Sequence, residues 1–399
     1  MLNVGIACVR AYPLNATWEL IFGGKEKVPP HFFQPSSNFR YTPRRGQHST
    51  LVEIVADDGT AGYGECFGIP DARYSAYYIE EYFAPMLLGK DPMEIESLWE
   101  MMLYCAAGIG NTAGPMMEAI SGIDIALWDL KGKKLGQPVH ALLGKQLQKD
   151  IYCYATPIML FDSPSQTVDR AHELLEMGYT ALKLKVGRGI RTDMQHIDAV
   201  RRSVPGSTKL LLDLNCGYEG RIPEAIQFAH AAEPYDIYWF EEPISPDDAE
   251  GYRKIRAQIP LKMATGENDF SFNSFKRIID SHTIDYIMPN ITRVGGITNL
   301  YKIGKYAAEK NVMLSPHGVG AGIGILAALQ VMSVLPNAPI YEANQFLNPL
   351  RHEIMHNRIE HHDSYLSVSA APGLGICVNW DTVKRFIAEG WSLYEHEGE

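Results

Sequence analysis

Cysteine is scarce in this chain. Six residues, Cys8, Cys66, Cys105, Cys153, Cys216 and Cys377, are scattered over 399 positions without a close pair. That excludes a disulfide framework and a zinc ribbon and fits a reducing compartment. Dense basic runs are also missing: 36 Lys and Arg stand against 47 Asp and Glu, a net charge of −11. Binding of nucleic acid by phosphate neutralisation is therefore not expected. Any anionic ligand must instead be held by a local cation or metal. Residues 1–10 lack a charged flank followed by a long apolar run, so no signal peptide is expected and a cytoplasmic location is. One stretch, 318–341, has no charged residue and is long enough to span a bilayer. It opens with alternating glycines, contains Gln330 and Ser333, and ends in Pro336-Asn337-Ala338-Pro339. A glycine-rich loop followed by one buried helix is expected there, and no membrane span.

What is present is an ordinary globular composition, 46% apolar and 21% charged, with length for two or three domains or a barrel with an attachment. The first third reads as α+β. Strands are expected at 3–12, 49–56 and 62–67, with a turn at Asp57-Asp58-Gly59. Helices are expected at 74–88, 93–106 and 112–134. A long irregular segment, 13–47, is expected to be a lid or disordered. After about residue 149 the texture changes. Apolar runs at 152–156, 181–186, 210–214, 237–240, 261–265, 286–288, 312–315 and 340–341 alternate with helical patterns. Eight strands in alternation with helices predict a closed parallel barrel. No dinucleotide fingerprint supports an open sheet, since 318–324 has the wrong glycine spacing.

Parallel barrels carry their chemistry at the C-terminal ends of the strands. Those ends are Lys183-Leu184-Lys185, Asp213-Leu214-Asn215, Glu241-Glu242-Pro243, Gly266-Glu267-Asn268, Pro289-Asn290, Pro316-His317 and Glu342. Asp213, Glu241 and Glu267 are 28 and 26 residues apart, about one βα unit each. Three converging carboxylates repel one another unless a cation relieves them. An oxygen-only donor set points to Mg²⁺ rather than zinc. Lys183 and Lys185, two apart on a strand, face one side. Mutual repulsion and burial are expected to lower one amine into the range of a base. A metal beside a poised lysine suits removal of the proton α to a carboxylate.

These residues bring a family into view. The chain resembles the enolase superfamily, mandelate racemase subgroup, over nearly its whole length. The resemblance rests on Ser121-Gly-Ile-Asp-Ile-Ala-Leu-Trp-Asp129, Lys183-Leu-Lys185, Asp213-Leu-Asn215, Phe240-Glu-Glu-Pro243, Gly266-Glu-Asn268, Gly295-Gly-Ile297, Pro316-His317 and Pro372-Gly-Leu-Gly375. It implies a (β/α)7β TIM-like barrel (136–345), an N-terminal α+β capping domain (1–135) and a C-terminal segment (346–399) returning to the cap. By resemblance Asp213, Glu241 and Glu267 bind Mg²⁺ and Lys185 is an acid/base catalyst. Lys183 tunes it and touches the substrate carboxylate, with Asn215 nearby. His317 acts on the opposite face, and Glu342 hydrogen-bonds the carboxylate as it becomes the enediolate. One departure stands out: the family usually has Asp where this chain has Asn290. Asn can orient His317 through its carbonyl oxygen but cannot stabilise an imidazolium by charge. That moves the expectation from racemisation towards elimination.

A rival motif, His352-Glu353-Ile-Met-His356 followed by His362, has the spacing of an extended zinc-protease signature. Ile359 stands where that signature needs glycine, no later methionine supplies its Met-turn, and Asn348-Pro349 limits a helix there. A non-catalytic barrel is the other alternative, set against the presence of all three acids and Lys185. The expected activity is dehydration of a sugar acid, with an epimerase or lactone cycloisomerase as alternative. The expected partner is a small carboxylate (an aldonate, aldarate or lactone), on a homo-oligomer with neither nucleic acid nor membrane. Specificity is expected from Lys25, Lys27, His31, Arg40, Arg44 and Arg45 beside Trp18, Phe22 and Tyr41.

Overall fold

The computed structural model describes residues 4–32 and 44–391, apart from the side chain of His31; Arg40 and Tyr41 lie outside this range. The chain begins with a three-stranded antiparallel sheet, β1 (Ile6–Thr17), β2 (Gly46–Ala56) and β3 (Ala61–Phe67), in the order β1-β2-β3. β1 and β2 pair further than expected, from Ile6↔Ala56 to Thr17↔Gly46, so the two ends of the 13–47 segment, 13–17 and 46–47, are strand. Pro13 hid this. It sits on the edge strand, where its missing N–H breaks no ladder, and its carbonyl accepts from Ala388 N–H at 2.8 Å.

Helices at Arg73–Tyr77, Ile95–Gly108 and Pro115–Leu135 follow. The last is buried along most of its length. It packs on β3 so closely that a Cβ on Gly64 would run into the Gly122 carbonyl oxygen. Its polar residues bind three parts of the molecule together. Asp129 accepts from Tyr63 N–H (2.9 Å) and Leu374 N–H (2.8 Å). Asp124 accepts from the Thr298 N–H and hydroxyl, and Ser121 from Gly295 N–H. The shared motif at 121–129 is thus a connector between sheet, barrel and C-terminal segment.

The barrel strands are β4 (Asp150–Ile158), β5 (Ala181–Lys185), β6 (Lys209–Asp213), β7 (Ile237–Glu241), β8 (Met263–Thr265), β9 (Tyr286–Ile287), β10 (Met313–Leu314) and β11 (Tyr341–Asn344), with a helix between each successive pair. β4 to β10 pair in order, all parallel, and β11 returns to β4. This is the expected (β/α)7β arrangement. Among the described residues β11 is followed by the one-turn helix Pro349–His352, after which the chain crosses back. Trp380 packs edge-on against Tyr12 at 5.3 Å and Trp391 Nε1 donates to the Ala11 carbonyl at 3.0 Å. The charge-free stretch is the buried helix Gly322–Met332, and no helix among the described residues is long and apolar enough to cross a membrane. The protease-like motif does not lie on one helix. Pro349–His352 ends before Glu353 and His356, so the spacing that would join the two histidines is absent.

Gly64→Ala is expected to force β3 off its helix and lower stability by about 2–3 kcal/mol, read by urea denaturation. An unchanged midpoint would show that the sheet tolerates the added methyl.

Candidate active site

Register builds the site. Lys185 pairs with Asp213, and Asp213 with Glu241, across three adjacent strands. Their side chains therefore share one level inside the barrel. The level below is an apolar floor that includes Tyr154, Leu211, Trp239, Tyr286 and Met288. Trp239 Nε1 donates to Glu241 Oε2 at 2.9 Å, and the Lys183 ammonium stands 5.3 Å from the Tyr154 ring centre.

Asp213, Glu241 and Glu267 each present an oxygen within 4.8 Å of the others, the one such acidic or metal-ligating group among the described residues. Glu267 Oε2 is buried without a hydrogen bond, with His317 Nε2 3.3 Å away. A buried, oxygen-only set with an unsatisfied oxygen fits a hard divalent cation. Two lysines answer the acids here. Lys183 is fully buried and reaches Glu241 Oε1 (2.8 Å), Asp213 Oδ2 (3.3 Å) and Glu342 Oε1 (3.5 Å). Lys185 reaches Asp213 Oδ2 at 2.5 Å.

This corrects the expectation of a lowered lysine. Burial works against both ammonium groups, but the carboxylates outweigh it. Lys183 is held well above its ordinary range, chiefly by Glu241, and Lys185 is raised by Asp213. Burial likewise pushes Glu241 far up, with Asp213 adding to it, and lifts Glu242 to about 8. The Lys185 ammonium is thus maintained by the same acids that would hold a cation. Neutralising them leaves burial and Lys183, both of which lower it.

The other wall carries His317, close to Glu267 and 3.8 Å from Glu342 Oε2. The Asn290 amide is fixed by two backbone groups that each have one role. Thr292 N–H donates to Oδ1 (2.9 Å), joined by the Thr292 hydroxyl (2.7 Å). Nδ2 donates to the Val319 carbonyl (2.8 Å). Nδ2 therefore also faces His317 Nδ1, at 3.0 Å, and that ring nitrogen must present its lone pair. The expected contact through the carbonyl oxygen is corrected: Thr292 already occupies it. The neutral ring carries its proton on Nε2, facing the acids. Burial lowers the His317 pKa, in keeping with a neutral ring. Glu342 accepts from Gly318 N–H at 2.9 Å. Burial raises its pKa, but Lys183 and His317 overcome this and keep it low, so as arranged it accepts rather than donates.

Lys185, Glu267, His317 and Glu342 open on a cavity of about 250 Å³, lined also by Asn215, Arg44, Arg293, Phe67 and Phe346. Of the expected specificity residues, Arg44 reaches this cavity. Trp18 packs beneath it on Phe346 (5.6 Å), while Lys25, Lys27 and Arg45 are exposed. Arg293 was not foreseen. It lies between Phe67 and Phe270 and donates to the Glu267 carbonyl at 3.0 Å. Only its position three residues after Asn290 could have drawn notice.

Comparison with known proteins agrees with this geometry. Residues 166–382 match the family described as enolase C-terminal domain-like, and 32–144 match the mandelate racemase / muconate lactonizing enzyme N-terminal domain. The D-galactarolactone cycloisomerase of Agrobacterium fabrum is 35% identical over 84% of this chain and 90% of its own. The L-talarate/galactarate dehydratase of Salmonella typhimurium is 30% identical over 82% and 80%. A racemase from Streptomyces coelicolor with bound magnesium superposes with a TM-score of 0.85 at 26% identity, covering 96% of this chain and all of that one.

Mg²⁺ at about a hundred times its Kd should stabilise the fold by about 2.7 kcal/mol, and Asp213→Asn should abolish that gain. Differential scanning calorimetry with and without chelator checks it; an equal Mg²⁺ response in the variant would contradict this donor set.

Proposed function

Because the chain belongs to the enolase superfamily, in its mandelate racemase subgroup, we propose that it is a Mg²⁺-dependent enzyme that eliminates an oxygen substituent from a sugar acid. Asp213, Glu241 and Glu267 would hold the ion, whose charge would stabilise the negative charge built up as the α proton leaves. Lys183 and Asn215 would hold the substrate carboxylate beside them. Lys185 takes the proton from the α carbon. The electron pair of that bond forms the α–β double bond, and the oxygen on the β carbon departs with its own pair. The enol so formed tautomerises to a 2-keto-3-deoxy acid.

The observation that carries this reading is the Asn290 amide. With its nitrogen on His317 Nδ1, the opposite face offers an N–H donor and no base, so inversion at the α carbon has no second proton carrier. A neutral imidazole can polarise a departing oxygen, as a neutral histidine does in other enolising sites, but it is a poor proton donor. A substituent that leaves as a carboxylate needs little protonation, whereas hydroxide needs much. Water loss is the first reading of the sequence. The amide orientation favours the alternative, opening of an aldaric acid lactone whose acyloxy group sits on the β carbon.

A panel of aldonates, aldarates and their lactones with Mg²⁺, run in D₂O, tests this. The expected result is 2-keto product, fastest from a lactone, with no deuterium in recovered substrate of inverted configuration. Inversion without keto product would refute elimination. Lys185→Met should remove at least about 10³-fold of the rate. Asn290→Asp should move the ring proton to Nδ1, freeing Nε2 as a base. That variant is expected to lose elimination by about tenfold or more and to gain α-deuterium exchange with inversion, scored by NMR of recovered substrate.

A further inference from the structure

The support for His317 does not end in the barrel. Glu65, on β3 of the N-terminal sheet, is 1% exposed, and both of its oxygens face backbone donors of the helix that follows the His317 loop. Oε1 accepts from Ala321 N–H at 2.6 Å and Oε2 from Gly324 N–H at 2.7 Å. These N–H groups belong to the first turn of Gly322–Met332 or its cap, where they have no partner within the helix and favour a negative charge. The same strand end holds the other half of the Asn290 support: Phe67 N–H donates to the Thr292 carbonyl at 3.0 Å. The packing leaves little slack. A Cβ on Gly324 would lie 2.6 Å from Thr292 Cγ2, and one on Gly320 would lie 2.8 Å from Glu65 Oε1.

Thr292 N–H and the Val319 carbonyl are the two backbone groups that decide which end of the Asn290 amide meets His317. One is held by Phe67 through the residue's own carbonyl. The other lies two residues before Ala321, which Glu65 holds. We propose that Glu65 is a positioning residue: by clamping the Ala321–Gly324 turn it fixes the Val319 carbonyl, and through Asn290 it sets the orientation of His317. Docking of the N-terminal sheet and assembly of one catalytic wall are then a single event. The consequence for turnover rests on the function proposed above for His317.

Glu65→Gln is the sharpest variant. A carboxamide has one acceptor oxygen, so its NH₂ must face one of the two backbone N–H groups. Turnover is measured on the acid that responds in the panel, for the wild type, E65Q, H317N and the double variant, together with Mg²⁺ affinity by calorimetry. The expected result for E65Q is a fall in kcat of about 10- to 100-fold, with KM and Mg²⁺ Kd within about twofold. E65Q should cost nothing further in the H317N background. Wild-type kcat, losses that multiply in the double variant, or a Mg²⁺ affinity that falls with kcat would each overturn the proposal.

A readout without turnover separates it from the functional reading. ¹⁵N-histidine NMR, with the His317 signals assigned from H317N, should show an unprotonated Nδ1 in the wild type and a mixture of ring forms in E65Q. Identical His317 signals in both proteins would dismiss the role of Glu65, whatever the kinetics. If the signals shift while H317N turns over at the wild-type rate, the clamp stands and the role proposed for His317 falls.

Discussion

Five charged side chains, Asp213, Glu241, Glu267, Lys183 and Lys185, converge at the mouth of a barrel, and the rest of the structure depends on holding them there. Like charges this close are costly in a buried setting. The barrel tolerates them because Lys183 spans Glu241, Asp213 and Glu342 and Lys185 grips Asp213, while Glu267 faces His317. The same contacts that make the site foldable also keep the Lys185 ammonium protonated. A divalent ion would take over the acids and release the amine, so on the proposed function assembly of the centre and activation of the base would be two aspects of one equilibrium.

Around that centre the two faces are built differently. One presents an amine on a rigid strand. The other presents an imidazole whose tautomer is dictated at second hand, by Thr292 and Val319 acting on Asn290. An Asp at 290 would accept from Nδ1–H and leave Nε2 free to abstract a proton; the Asn here does the reverse. On the proposed function, a single change of carboxylate to amide would make a two-sided acid/base site one-sided, without moving any residue that would touch the metal.

Much of this was legible in the residue order. Eight apolar runs at βα spacing marked the barrel, and reading only their C-terminal ends found the acids, both lysines, Asn215, Asn290, His317 and Glu342. This works because strand periodicity and barrel topology together dictate which side chains converge. The continuation of β1 past Pro13 was not legible, since an edge strand hides a proline that a central one would reject. The amide orientation of Asn290 was not legible either. It depends on a carbonyl 29 residues away, brought alongside by a turn that Glu65 clamps from 256 residues away. Arg44 was one cation among several in a candidate lid, and only tertiary packing distinguished it from its exposed neighbours.

The central claim is that a cation and the Lys185 proton compete for the same carboxylate. Mg²⁺ binding followed by calorimetry at pH 8, in two buffers of different ionisation enthalpy, measures the protons released per ion bound. The account predicts a measurable release that disappears in Lys185→Met. Binding without proton release, or a release untouched by that substitution, would contradict it.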